Sequence, residues 1–279
     1  MFDKETIEAR LQEHRKEAMR DNDISDWFVI ASNGSMNYGL ETENSDIDSK
    51  LLTIPSLKQL INDDRNNYLH EMSDNGEHVE VKDIAIYMKT ILKQNINFVE
   101  TLFAKGVIVN PKYQEEWDVL VENREKIARY DTHRAVKCMY GMMVQKRKDM
   151  VTSTPGRMEN IEKIGYDAKS FHHVVRLGMF LSNYVRGTKY KDCLTLHDEL
   201  EYGLLTNSKL GKYTLDEADM LCDDMLDLCG SDADLFLSRD VSDEEIHNRW
   251  EVKNLIDNVV YNVVEKSIKG CKPRIMVYG

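Results

Sequence analysis

The sequence predicts an α+β fold in two parts: an N-terminal domain over 1–110 built on a small mixed sheet, and a helical domain over 111–279 packed against it. Three observations carry this expectation. Short β-prone runs cluster before residue 83, apolar residues recur at the helical interval through most of the rest, and Pro111 marks a boundary between the two regimes.

Lys4 to Met19 reads as an amphipathic helix that turns Ile7, Leu11 and Ala18 inward. The run Trp27-Phe28-Val29-Ile30-Ala31 is apolar and β-prone, as a buried strand entering the turn Ser32-Asn33-Gly34-Ser35 should be. Ile47 to Ile54 reads as a second strand. Glu77 to Lys82 alternates polar and apolar residues as a third, with Val79 and Val81 inward and His78, Glu80 and Lys82 on the opposite face. Asp83 is placed to N-cap a long helix in which Ile84, Tyr87, Met88, Ile91 and Leu92 form the apolar stripe. Beyond Pro111, helices are expected over Trp117 to Lys126, Thr132 to Lys148 and Lys169 to Arg186, with Ser153-Thr154-Pro155-Gly156 as an exposed loop. Thr214 with Glu217, and Ser242 with Glu245, are capping-box spacings that open two further helices. No internal repeat or low-complexity tract interrupts this order.

Composition bounds the functional classes. With 279 residues, a hydrophobic fraction of 42% and few prolines, the chain is expected to fold as a helix-rich protein with one or two proper cores. It contains no apolar run of the length needed to cross a bilayer, and Met1-Phe2-Asp3-Lys4-Glu5 lacks a signal-peptide core, so a cytoplasmic location is expected. Five widely spaced cysteines, Cys138, Cys193, Cys222, Cys229 and Cys271, with no Cys-x-x-Cys pair, read as reduced thiols. The net charge of −12 argues against nonspecific gripping of long nucleic acid, which requires a basic surface that displaces counterions. A local positive funnel of Lys50, Lys82, Lys169 and Arg176 remains able to admit a triphosphate or one RNA end.

The most informative pattern is the Gly34-Ser35 turn set shortly before Asp46-Ile47-Asp48. Gly34 allows close backbone approach, so the turn can cradle phosphate with its N–H groups. If the following segment is extended, Asp46 and Asp48 leave one face while Ile47 leaves the other. Two carboxylates so placed repel unless a cation lies between them, and an all-oxygen site suits Mg²⁺ or Mn²⁺. Two ions about 3.5–4 Å apart would require a third carboxylate from a neighbouring strand. Glu80 is the choice; Glu77 is the competitor, disfavoured because it falls on the other face of a regular strand.

Several weaker signals fall away. Asp21, Asp23 and Ser25 imitate the start of a calcium-binding loop, but Asp26 stands where Gly is needed and Ser32 where the closing Glu belongs. Lys137, Lys146, Arg147 and Lys148 read as solvated surface, and the methionine pairs read as core filling. Asn37 and Tyr38 could contact base or ribose; for Tyr38, core packing is an equal alternative. His172 reads as packing or surface.

Gly34-Ser35, a spacer and Asp46-Ile47-Asp48 together resemble the signature of the DNA polymerase β superfamily of nucleotidyltransferases. Lys93-Gln94-Asn95-Ile96-Asn97 with Val99-Glu100-Thr101-Leu102-Phe103 is similar to the helix after the third catalytic strand in a predicted bacterial and phage nucleotidyltransferase group. Gly165-Tyr166-Asp167-Ala168-Lys169, with His173 and Arg176-Leu177, resembles that group's hallmark helix. The sequence departs at Gln94 and Ile96, where the group commonly has Gly and Pro.

The resemblance implies a polymerase-β-like catalytic domain in which Asp46, Asp48 and Glu80 bind Mg²⁺ or Mn²⁺ and the Gly34-Ser35 turn holds the nucleotide phosphates. It implies attack of a hydroxyl on the α-phosphate of a nucleoside triphosphate, with an RNA end as the first acceptor. Transfer of AMP to a protein or small-molecule hydroxyl is the alternative, as is a non-catalytic nucleotide-binding regulator. Lys169, His173 and Arg176 lie at i, i+4 and i+7, one stripe of a helix. That stripe is expected to face the cleft between the two parts and hold the triphosphate tail, with Arg176 as the bidentate partner. The alternative is an ordinary solvated face.

Overall fold

The computed structural model describes residues 2–22, 24–41, 45–64, 69–196 and 198–270. Asp23 of the calcium-like motif and Cys271 lie outside the described residues. The chain begins with α1 (Lys4–Asp21), whose first turn is closed by the Asp3 side chain accepting from the Thr6 amide, and continues into β1 (Asp26–Ser32). A short 3₁₀ turn over Gly34–Tyr38 follows, then β2 (Ser49–Ile54), α2 (Leu57–Asn62), β3 (Leu69–Met72) and β4 (His78–Asp83). Next come α3 (Ile84–Ile91), α4 (Ile96–Val99) and β5 (Val107–Val109).

These strands form a five-stranded mixed sheet in the order β3-β4-β2-β1-β5. β1 runs antiparallel to β2 and β5, β2 and β4 are parallel, and β3 closes the far edge antiparallel to β4. Because side chains alternate across a strand, the sheet presents two faces. One is covered by α1: Leu11 and Ala18 join Ile30, Leu51, Val79 and Val81 in a small core. The other carries Leu52 and Ile54 into the large core. The pairing slips between Trp27 and Val29, and consecutive residues Phe28 and Val29 both enter that large core.

The remainder is helical: α5 (Gln114–Glu122), α6 (Arg124–Ala128), α7 (Thr132–Val151), α8 (Met158–Ile164), α9 (Ala168–Val185), α10 (Tyr190–Cys193), α11 (Glu199–Lys209), α12 (Leu215–Leu237) and α13 (Asp243–Lys269). At the centre is α9, buried along most of its length, with α7, α11 and α12 packed around it. The predicted caps close where expected. Asp83 accepts from the Ala85 and Ile86 amides, and Thr214/Glu217 and Ser242/Glu245 both form complete capping boxes. Among the described residues no helix is long and apolar enough to cross a membrane. Cys138, Cys193, Cys222 and Cys229 are free thiols.

Three local expectations are corrected. The second strand starts at Ser49 instead of Ile47, because the Ile47 amide donates to the Glu77 carboxylate at 2.9 Å and not to a strand partner. The helix expected from Trp117 to Lys126 divides at Asn123 into α5 and α6. The helix begun at Ile84 stops at Ile91 because Gln94 takes a left-handed φ of 58°, which no α-helix continues.

Candidate active site

The Gly34–Tyr38 turn follows β1, and the Asp46-Ile47-Asp48 approach precedes β2, so the antiparallel pairing of these strands brings the two segments to one end of the sheet. The Asn33 amide donates to the Asp48 carbonyl at 2.8 Å. Gly34 has φ +81°, and a β-carbon there would sit 3.5 Å from Asp48 Oδ2. Glycine is therefore favoured for the left-handed backbone, while the space beside it would hold a β-carbon at ordinary van der Waals distance from the carboxylate. Burial alternates through the acidic segment: Asp46 is exposed, Ile47 buried and Asp48 half-buried. Asp48 Oδ1 accepts from the His78 amide on β4 at 3.3 Å.

Glu77 is not a free ligand. Its Oε1 accepts from the Ile47 amide, and its Oε2 lies 3.0 Å from His14 Nε2 and 3.1 Å from Asn75 Nδ2. His14, fully buried on α1, also reaches Ser49 Oγ at 2.9 Å through its other ring nitrogen. Together these residues pin the backbone between the two aspartates.

Glu80 lies on the face away from α1, where its strand neighbour in register is Lys50. Lys50 Nζ stands 3.9 Å from Glu80 Oε2, and the lysine is only 2% exposed. Its ammonium also donates to the Asn97 carbonyl and lies 4.8 Å from the centre of the Phe98 ring, with Lys82 Nζ over the same ring at 4.5 Å. Burial lowers the Lys50 pKa to about 8, against the pull of Glu80, so the group remains cationic at neutral pH. Lys82 is lowered by the same cause. Glu80 Oε1 is buried without a hydrogen-bond partner.

The stripe on α9 runs from solvent to core: Lys169 is exposed, His173 half-buried and Arg176 buried. The Arg176 guanidinium lies 3.7 Å from the Glu100 carboxylate and 4.1 Å from the centre of the Tyr38 ring, while the Tyr38 hydroxyl donates to Glu100. Arg176 is thus buried beside Glu100, with its Nη1 making no hydrogen bond. Tyr38 and Asn37 are engaged inside the protein, the latter accepting from the Ser32 hydroxyl and the Lys105 amide. His173 is held well below the usual histidine range by burial and the nearby Arg176, and is neutral at pH 7. Lys209, which sequence reasoning missed, donates to the Leu40 carbonyl at 2.9 Å just after the glycine turn, close enough to Lys169 to feel its charge. The basic patch expected around Lys146 and Arg147 is ion-paired, with Asp149 and with Asp219 and Asp223.

The donor set bears on a metal. Asp46 and Asp48 fit a hard divalent ion that takes its remaining ligands from water and phosphate, the usual habit of Mg²⁺. Glu80 fits less well, since two lysine ammonium groups already occupy its surroundings. Among the described residues no three His, Cys, Asp or Glu side chains are gathered to hold a metal ion.

No protein-family description and no curated protein matches the chain. Among solved structures, it is similar to a nucleotidyltransferase-like protein from Exiguobacterium sibiricum, with 13% identity over 92% of each chain and a TM-score of 0.34. A likeness at that level is too weak to carry an inference about fold family or activity.

Proposed function

We propose that the chain is a divalent-metal-dependent nucleotidyltransferase, moving a nucleoside monophosphate from a triphosphate to a hydroxyl acceptor with release of pyrophosphate. The observation that carries this reading is the approach of Asp48 to Gly34, which sets a carboxylate directly against a turn able to receive phosphate. Asp46 and Asp48 hold the ion. Bound there, the ion supplies charge neutralisation for the α-phosphate. Ser35 and the amides at the start of the turn hold the outer phosphates, assisted by Lys169 and Lys209 from the helical side. The acceptor hydroxyl forms a bond to the α-phosphorus as the bond to the bridging oxygen of pyrophosphate breaks. An RNA end is the first acceptor on the strength of the sequence resemblance; the net charge of −12 then requires that it be held locally.

The test is to incubate the purified chain with each labelled triphosphate, Mg²⁺, and RNA, extract protein or small metabolites, and ask which fraction gains label. Asp48→Asn should retain the fold by circular dichroism and lose incorporation by at least a hundredfold, as expected for removal of a metal-assisted transition-state contact. Undiminished incorporation removes this site.

A further inference from the structure

We propose that the site takes a single divalent ion, at Asp46 and Asp48, and that the Lys50 ammonium occupies the place beside Glu80 where a second ion would stand. The inference rests on the nucleotidyltransferase reading and specifies its chemistry.

Lys50 is built into this position. It shares a rung with Glu80 across the parallel pair of β2 and β4, is 2% exposed, and has its ammonium fixed by Glu80 Oε2, the Asn97 carbonyl and the Phe98 ring. Lys82 adds a second positive charge over the same ring. A divalent ion on Glu80 would stand against both charges in a partly desolvated site, where like charges are poorly screened. The aspartates have no cationic side chain within ion-pairing distance among the described residues, whereas Glu80 has one. That asymmetry divides the three carboxylates into an ion-binding pair and a lysine-held singleton. Lys50 pairs with Glu80 Oε2 at 3.9 Å, and Oε1, buried and lacking a hydrogen-bond partner, is reached by the acceptor hydroxyl once bound substrate has opened the site. In the transfer step the hydroxyl proton passes to Glu80 Oε1, the hydroxyl oxygen bonds to the α-phosphorus, and the electron pair of the broken P–O bond leaves with pyrophosphate. The fixed ammonium supplies positive charge that needs no reorganisation during the reaction.

The experiment counts ions. The full chain is mixed at 1:1 with the α,β-methylene analogue of each triphosphate, titrated with Mn²⁺, and the bound ion is read by electron paramagnetic resonance. One Mn²⁺ per chain without Mn–Mn dipolar broadening is expected; two coupled ions in the unaltered protein overturn the proposal. Lys50→Met should admit a second Mn²⁺, and a count unchanged at one in a folded Lys50→Met protein also counts against it. Should that variant fail to fold, Glu80→Gln decides: it is expected to keep one ion and analogue affinity within about threefold while kcat falls at least tenfold with KM little changed. Loss of an ion in Glu80→Gln overturns the proposal. Failure of the unaltered chain to bind analogue and Mn²⁺ at all overturns the nucleotidyltransferase reading, a result distinct from a count of two.

Discussion

Gln94 shows how a single residue can be held against its preference. A left-handed conformation costs a non-glycine residue about 1–2 kcal/mol, and Gln94 accepts this at φ 58°. Its side chain offsets the cost: Nε2 donates to the Ile91 carbonyl at 3.1 Å and to the Ile127 carbonyl at 3.0 Å, tying the end of α3 to α6. Each such bond is worth about 1 kcal/mol net. Gln94→Gly therefore exchanges strain for lost bonds and should leave stability within about 1 kcal/mol of the parent. Gln94→Ala keeps the strain and loses the bonds, and should unfold at lower urea, by roughly 1–2 kcal/mol. An alanine variant as stable as the glycine variant would show that the strain is not real. His172 is a second case. It is buried on α9, with Nδ1 3.1 Å from the Leu205 carbonyl, and burial lowers its pKa from 6.5 to about 4. The folded protein thus resists a proton that the unfolded chain accepts. The resulting stability is complete above pH 6.5 and is lost as pH falls towards 4, amounting to roughly 3 kcal/mol. His173 acts in the same direction, so the check is a difference: between pH 7 and pH 4 the unfolding free energy of His172→Gln should fall by less than that of the parent.

At the scale of elements, the approach to β2 depends on a carboxylate outside the chemistry. Glu77 accepts from the Ile47 amide and faces His14, so the acidic segment is fastened to β4 and α1 at once. Glu77→Ala leaves both groups buried without their partner, at a cost of about 2–3 kcal/mol for a charged hydrogen bond, and should lower kcat by freeing Asp46 and Asp48. Glu77→Gln retains an acceptor for the Ile47 amide and should keep most of the activity; equal loss in both variants would contradict a positioning role. The same elements show what the sequence could reveal. The helix starts at Asp83, Thr214 and Ser242 were legible because a cap is decided within three or four residues. The inward set Val79 and Val81 was legible because alternation is local. Glu77 and Arg176 were not, since their partners lie far along the chain: His14 is 63 residues from Glu77, and Glu100 meets Arg176 only when α9 packs beside the glycine turn. The edge strands β3 and β5 span four and three residues, too short to show a period.

At the scale of the whole molecule, the sheet half and the helical half share one apolar core. The large cluster runs from Phe28 and Leu52 on the sheet, through Ile84 and Ile91 of α3, to Phe171 and Leu181 of α9 and Val263 of α13. Residue 110 therefore marks a change of secondary structure, while the packing continues across it. Arg176 and Glu100 join the halves electrostatically, with Tyr38 of the glycine turn held between them. Burial already raises the Glu100 pKa to about 7 against the pull of Arg176, so Arg176→Met leaves a buried carboxyl that must stay charged and unpaired or take up a proton, and should destabilise by about 3 kcal/mol. Glu100→Gln added to it removes that carboxyl and still offers the Tyr38 hydroxyl an acceptor, so the double variant should recover most of the loss. If the pair contributed only packing, the two losses would add. Scanning calorimetry on the parent should give one transition with equal calorimetric and van't Hoff enthalpies. In the double variant that transition should stay single, because the apolar continuity from Leu52 to Leu181 does not depend on the charges; two resolved transitions would show that the pair, and not the core, makes the halves unfold together.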